Sequence, residues 1–197
     1  MESHTSNSIL SESAWALKSL GVASLCVLLA CQPTPAAVSE YDTKAALIIK
    51  IGRFVHWPQG AFAHSGGMLR LCIVGRDDFG PSADNLAGHR LQGQTITIAR
   101  LSDPGQSASD CRIIFISASE RERLPALLDS IAGDPVLTIS DIDGFASRGG
   151  MIGFATTASK VHFEINAAAS KRAGLAIGAQ LLQLATLIDA GVMDAKP

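Results

Sequence analysis

The run CRIIFIS, from Cys111 to Ser117, limits the possible folds more than any other segment. Successive side chains of a strand point to opposite faces. A run that is apolar at every position from Ile113 to Ile116 therefore needs both faces covered, which places it in the interior of a sheet. Three neighbours read as strands beside it. MLRLCIVG (Met68 to Gly75) is rich in branched residues, QTITIARL (Gln94 to Leu101) alternates, and PVLTISD (Pro135 to Asp141) is again mostly apolar.

Helical patterns lie between and around these strands. EYDTKAALIIKIGRFVHWP (Glu40 to Pro58) places Thr43, Lys50 and Arg53 on one face, with Ala45, Ile48, Ile49, Phe54 and Val55 around the rest. Trp57-Pro58 is expected to end it. DDFGPSADNLAG (Asp77 to Gly88) predicts a turn and a short helix. SASERERLPALLDSIAG (Ser117 to Gly133) predicts a helix with a capping box of Ser119 and Glu122, running properly from Leu124 because Pro125 belongs in a first turn. GMIGFATTASKVHFEIN (Gly150 to Asn166) reads as a β-hairpin. AAASKRAGLAIGAQLLQLATLIDAG (Ala167 to Gly191) reads as a short helix, a glycine break and a longer helix carrying Leu181, Leu184, Ala185 and Ile188.

The resulting expectation is an α/β fold. A mostly parallel central sheet would be flanked by helices on both faces, with a C-terminal β-hairpin and helix added to the sheet. Right-handed crossovers would set the strands containing Cys72 and leading from Cys111 side by side.

The N-terminus has a different character. KSLGVASLCVLLACQPTPAA places Lys18 before a short apolar core and small residues after it, the order of a secretory signal. The core is about half the ~20 residues a membrane span needs. Residues 1–37 are thus expected to be a signal peptide and 38–197 a single α/β domain. Cleavage after Ala36 or Ala37 is one route. The other treats LLAC, ending at Cys31, as a lipobox with Cys31 as the lipidated residue. An exported chain retaining Cys72 and Cys111 is read as carrying a disulfide between them, with two buried thiols as the alternative.

Of the chain, 47% is hydrophobic and 17% charged, and the formal net charge is −2. These values fit a globular domain and argue against a nucleic-acid partner. The sequence has no HExxH, CxxC, GxSxG, P-loop or GxGxxG pattern. No catalytic, cofactor-binding or metal-binding residue is assigned. Two weaker groupings remain. Asp77, Ser117, Ser119, Asp141 and Arg148 would gather at the carboxyl ends of the strands, where open α/β sheets bind small ligands, although turns and helix caps account for such residues as well. His162, Glu164 and Arg172, on the hairpin and the helix after it, are candidates for a partner surface. The glycine-rich SDIDGFASRGGMIGF (Ser140 to Phe154) is read as the joint between two halves of the domain. Its Gly149 and Gly150 would permit a tight turn.

EYDTKAALIIKIGRFVHWP, LCIVGRDDFGP, CRIIFISASE, VLTISDIDGFASRGGMIGF and VHFEINAAASKRAGLAIGAQLL occur in this order. Together, over about Ser39 to Leu187, they resemble the YfiR family of exported bacterial proteins. The resemblance implies a non-enzymatic periplasmic regulator, without cofactor. It would repress a membrane-bound diguanylate cyclase by binding its periplasmic sensor region, and so restrain cyclic-di-GMP and biofilm formation. It also implies a homodimer, a disulfide whose reduction weakens repression, and an OmpA-like outer-membrane lipoprotein that sequesters the regulator. Some relatives instead accompany a histidine kinase or receptor. A periplasmic small-ligand sensor or accessory protein is thus the alternative. The chain lacks the further cysteine pair that some members carry near the glycine-rich segment.

Overall fold

A computed structural model of the chain describes residues 39–102, 110–157 and 160–188. The expected leader, with Cys31, lies outside them.

Helix α1, Glu40–Arg53, begins at a capping box. The Ser39 Oγ accepts from the Asp42 N–H at 3.0 Å, and the Asp42 carboxylate accepts from the Ser39 N–H at 3.0 Å. Two otherwise orphaned donors are satisfied reciprocally. The helix stops earlier than its apolar pattern suggests. Val55 and His56 form a short strand β1, which pairs antiparallel with β9 (Ala176–Ile177), and the Gly178 N–H donates to Phe54 O at 2.7 Å. A tertiary partner for the backbone thus replaces the last expected helical turn.

Among the described residues the main sheet has eight strands and is mixed. In chain order they are β2 (Met68–Val74), β3 (Arg90–Leu91), β4 (Gln94–Leu101), β5 (Ile113–Ile116), β6 (Leu137–Ser140), β7 (Ile152–Thr157), β8 (Lys160–Ile165) and β10 (Thr186–Leu187). Their spatial order is β10-β8-β7-β6-β5-β2-β4-β3. The pairs β2/β4, β2/β5, β5/β6, β6/β7 and β8/β10 are parallel; β3/β4 and β7/β8 are antiparallel. The hairpin expected between Gly150 and Asn166 is the β7/β8 pair. Short helices α2 (Pro81–Asp84), α3 (Leu124–Ser130), α4 (Ala167–Arg172) and α5 (Ala179–Leu182) complete the elements, with a 3₁₀ turn at Ala118–Glu120.

Alternation along the central strands divides the interior in two. Leu69, Leu71 and Ile73 of β2 and Ile113 and Phe115 of β5 pack with Ala45, Ile48 and Ile51 of α1. Cys72 and Val74, with Ile114 and Ile116, pack with Leu124 and Leu127 of α3. Every residue of β5 is buried, as the unbroken apolar run requires. Cys72 and Cys111 form the disulfide expected from the sequence, with Cα atoms 6.0 Å apart. It becomes possible because β5 lies directly beside β2, so the residue entering β5 reaches the middle of its neighbour.

Three local expectations differ from the structure. The proposed Ser119–Glu122 capping box does not form. Ser117 instead caps the 3₁₀ turn by accepting from the Ser119 N–H, and α3 begins separately at Leu124 with Pro125 in its first turn. The longer C-terminal helix is also absent from the described residues. Only Ala179–Leu182 is helical there, and Thr186–Leu187 adds as β10 alongside Glu164 and Ile165. Finally, only the first of the paired glycines turns with positive φ. Gly149 has φ +101, whereas Gly150 serves close packing, since a Cβ there would fall within the Phe145 ring.

Candidate functional site: the strand-end polar cluster

The carboxyl ends of β2, β5 and β6 meet the first turns of α1. Ser140, the last residue of β6, is fully buried. Its Oγ donates to Ile116 O at 2.6 Å and accepts from the Ile142 N–H at 3.0 Å. That clamp fixes the turn in which Asp141 leaves the sheet.

Asp141 is the centre of the cluster. Its Oδ2 accepts from Lys44 Nζ at 2.9 Å and from the Tyr41 hydroxyl at 3.0 Å, and its Oδ1 accepts from the Ala118 N–H at 3.0 Å. Lys44 is only 3% exposed. Besides Asp141 it pairs with Glu40 at 2.8 Å, one helical turn back, and lies over the Tyr41 ring at 4.4 Å. Glu40 in turn accepts from the Thr156 hydroxyl on β7. Tyr41 packs edge-on against Phe79, which packs edge-on against Phe115, so the polar web is seated on the main core.

The electrostatics follow from this seating. Burial pulls the Lys44 ammonium toward deprotonation. Hydrogen bonds to Glu40 and Asp141, and their charges, more than reverse it, so its pKa is raised above the usual lysine value. Burial chiefly, then the charge and hydrogen bond of Asp141 and the nearby Asp78, raise the Tyr41 phenol above its usual range. The hydrogen bond from Lys44 leads the effects that lower Glu40. All three shifts favour the protonation states present at neutral pH.

The other sequence candidates are spread over several places. Asp77 caps the turn after β2: its Oδ1 accepts from the Phe79 and Gly80 N–H groups, and its Oδ2 from Arg100 Nε at 2.6 Å. Ser117 and Ser119 adjoin Asp141 through the 3₁₀ turn, with the Ser119 Oγ accepting from the Arg76 N–H at 3.0 Å. Gly75 permits that approach. It has φ +88, and a Cβ there would sit 2.5 Å from the Ser119 Oγ. Arg148 stands apart, donating to Arg121 O at 3.1 Å. His162 and Glu164 lie on β8, opposite Ala155 and Gly153 of β7, and Glu164 is also flanked by Thr186 of β10. Arg172 is the last residue of α4.

Tyr41 and Lys44 were missed as members of the cluster. The available signal was Lys44 itself, which shares a helical stripe with Ile48 and Ile51 at spacings of four and seven. A lysine on a core-facing stripe needs a buried counter-charge. Among the described residues no group of three or more His, Cys, Asp or Glu could hold a metal ion, and no helix is long and apolar enough to cross a membrane.

The five sequence stretches that mark this chain contribute α1, β2, β5, β6 with the joint that follows it, and β8 with α4. A protein-family model described as YfiR/HmsC-like matches residues 41–186. The chain belongs to the YfiR/HmsC-like family. The match begins at Tyr41 and takes in Lys44, Asp141, both disulfide cysteines and all the strands of the main sheet up to Thr186 in β10.

Proposed function

We propose that this protein is an exported, non-enzymatic regulator. It would bind the periplasmic region of an inner-membrane diguanylate cyclase and restrain cyclic-di-GMP synthesis, and with it biofilm formation. The observation that carries the proposal is the YfiR/HmsC-like match over residues 41–186. The Asp141 geometry supports it. Three donors belonging to the protein already occupy that carboxylate, so the strand-end cluster acts as a lock between α1 and the sheet. In the same reading residues 1–37 form a cleaved leader and 38–197 the exported domain, acting as a homodimer. His162, Glu164 and Arg172 contribute to the surface that meets the cyclase, and an OmpA-like lipoprotein competes for the regulator.

Deletion of the gene should raise cellular cyclic-di-GMP and biofilm mass, and complementation with the exported chain should restore both. The purified mature chain should also retain the periplasmic domain of a membrane diguanylate cyclase from the same organism on a column. An unchanged nucleotide level together with no retention would refute the proposal.

A further inference from the structure

A cavity of about 380 Å³ lies on the α3 side of the sheet, between α3, α4 and the Arg148–Met151 turn. It shares no residue with the Asp141 cluster. Its walls include Leu128, Ile131, Met151 and Ala173, all aliphatic or thioether groups, and no aromatic ring or histidine lines it. Thr138 is the buried polar group in the lining, and its Oγ1 already accepts from the Met151 N–H at 3.0 Å.

The charge is at the mouth. Arg148 and Arg172 both line the cavity, and both are exposed. Neither forms an ion pair among the described residues. Arg148 spends one N–H on Arg121 O. A guanidinium has five donors in a planar fork, so most of this one remains available. Asp129 is the acid in the lining. One carboxylate against two guanidiniums leaves the mouth net positive. The glycines of the joint shape the opening: Gly149 turns with φ +101 and sets its backbone against Leu128, where a Cβ would lie 3.6 Å from Cδ1.

We propose that this cavity binds a single-chain aliphatic carboxylate, with the chain inside and the carboxylate held between Arg148 and Arg172. The Leu128, Ile131, Met151 and Ala173 walls disfavour sugars and nucleotides, many of whose polar groups would be buried against them unpaired. Planar guanidiniums match a carboxylate through paired hydrogen bonds. The volume is near the low end of the ~300–1,000 Å³ typical of small-molecule sites, which suits one short chain rather than a two-chain lipid.

The test uses the exported chain with its disulfide intact, octanoate as the probe, and selectively methyl-labelled methionine. Octanoate should bind saturably by calorimetry and shift the Met151 methyl resonance while leaving that of Met68 in place. Arg148→Gln and Arg172→Gln, both exposed substitutions, should each weaken binding about tenfold or more without altering the melting temperature. Octanol should bind more weakly than octanoate by a similar factor. Absence of saturable binding, an unmoved Met151 resonance, or octanol and both variants binding as octanoate binds the parent would overturn the proposal. None of these readouts depends on the cyclase.

Discussion

Lys44 and Asp141 are 97 positions apart in the chain and 2.9 Å apart in the fold. With side-chain exposures of 4% and 9%, they form a pair whose partners have already lost their water. Removing one partner leaves the other charge buried, which typically costs about 3–5 kcal/mol. Asp141→Ala should therefore destabilise by about 3 kcal/mol in urea unfolding. Lys44→Met should cost a similar amount. The double variant should lose clearly less than the sum, because neither charge is then stranded. The pair also predicts a pH dependence. The Lys44 pKa is raised from 10.5 in the folded state, so its stabilisation is complete below about pH 10.5 and is lost as pH rises through the higher folded value. The urea midpoint of the parent should fall in that alkaline range, and Lys44→Met should lack that part of the fall. Simple additivity of the two substitutions, or an identical alkaline profile in Lys44→Met, would contradict the buried pair. This site was only half legible in the sequence. Asp141 stands out because it follows a strand, whereas Lys44 is identified only once α1 is laid on the sheet end where Asp141 emerges.

At the scale of elements, strands buried on both faces were the easiest to read. Ile113–Ile116 and Leu137–Ser140 admit few alternatives, because every side chain needs cover. The C-terminal segment was harder, since its leucines have helical spacing without a helical environment. Leu184 and Leu187 are 74% and 56% exposed. The backbone finds a better partner in β8, where the Ile188 N–H donates to Ile165 O at 2.9 Å. Tertiary pairing outweighs local propensity there. Asn166 shows a junction that pattern alone does not reveal. It is fully buried; its Oδ1 caps α4 by accepting from the Ala169 N–H at 2.9 Å, and its Nδ2 donates to Ala146 O at 2.8 Å. One side chain thus ties the glycine-rich joint to the helix that walls the cavity. Asn166→Ala removes both bonds and strands the buried Ala169 N–H, while the Ala146 carbonyl keeps only its longer bond from the Gly149 N–H at 3.4 Å. It should cost about 2–3 kcal/mol, and amide exchange should accelerate most at Ala169. A loss below 1 kcal/mol would mean that the joint does not depend on this residue.

Across the whole molecule, the disulfide links two adjacent central strands under the cover of α3. Both cysteines are fully buried in the cluster that holds Ile114, Ile116 and Leu124. The bond closes a loop with a sequence separation of 39, for which the chain-entropy relation gives about 4 kcal/mol. Cys72→Ser should lower unfolding stability by up to that amount. Burial also governs the chemistry, because exchange needs a thiolate to reach a sulfur atom, and here the protein must first open. Reduction in native buffer should therefore be slow and should accelerate with mild urea in step with the opening equilibrium. Thiol trapping followed by mass spectrometry measures both rates. Fast reduction of the native protein, with no urea dependence, would show that the sulfurs are reached without opening. If opening is required, redox conditions reach this disulfide only through the population of the protein's opened form. Variants that weaken the Lys44–Asp141 pair or the Asn166 clip should then be reduced faster if those contacts must break in that opening, even though neither touches the disulfide.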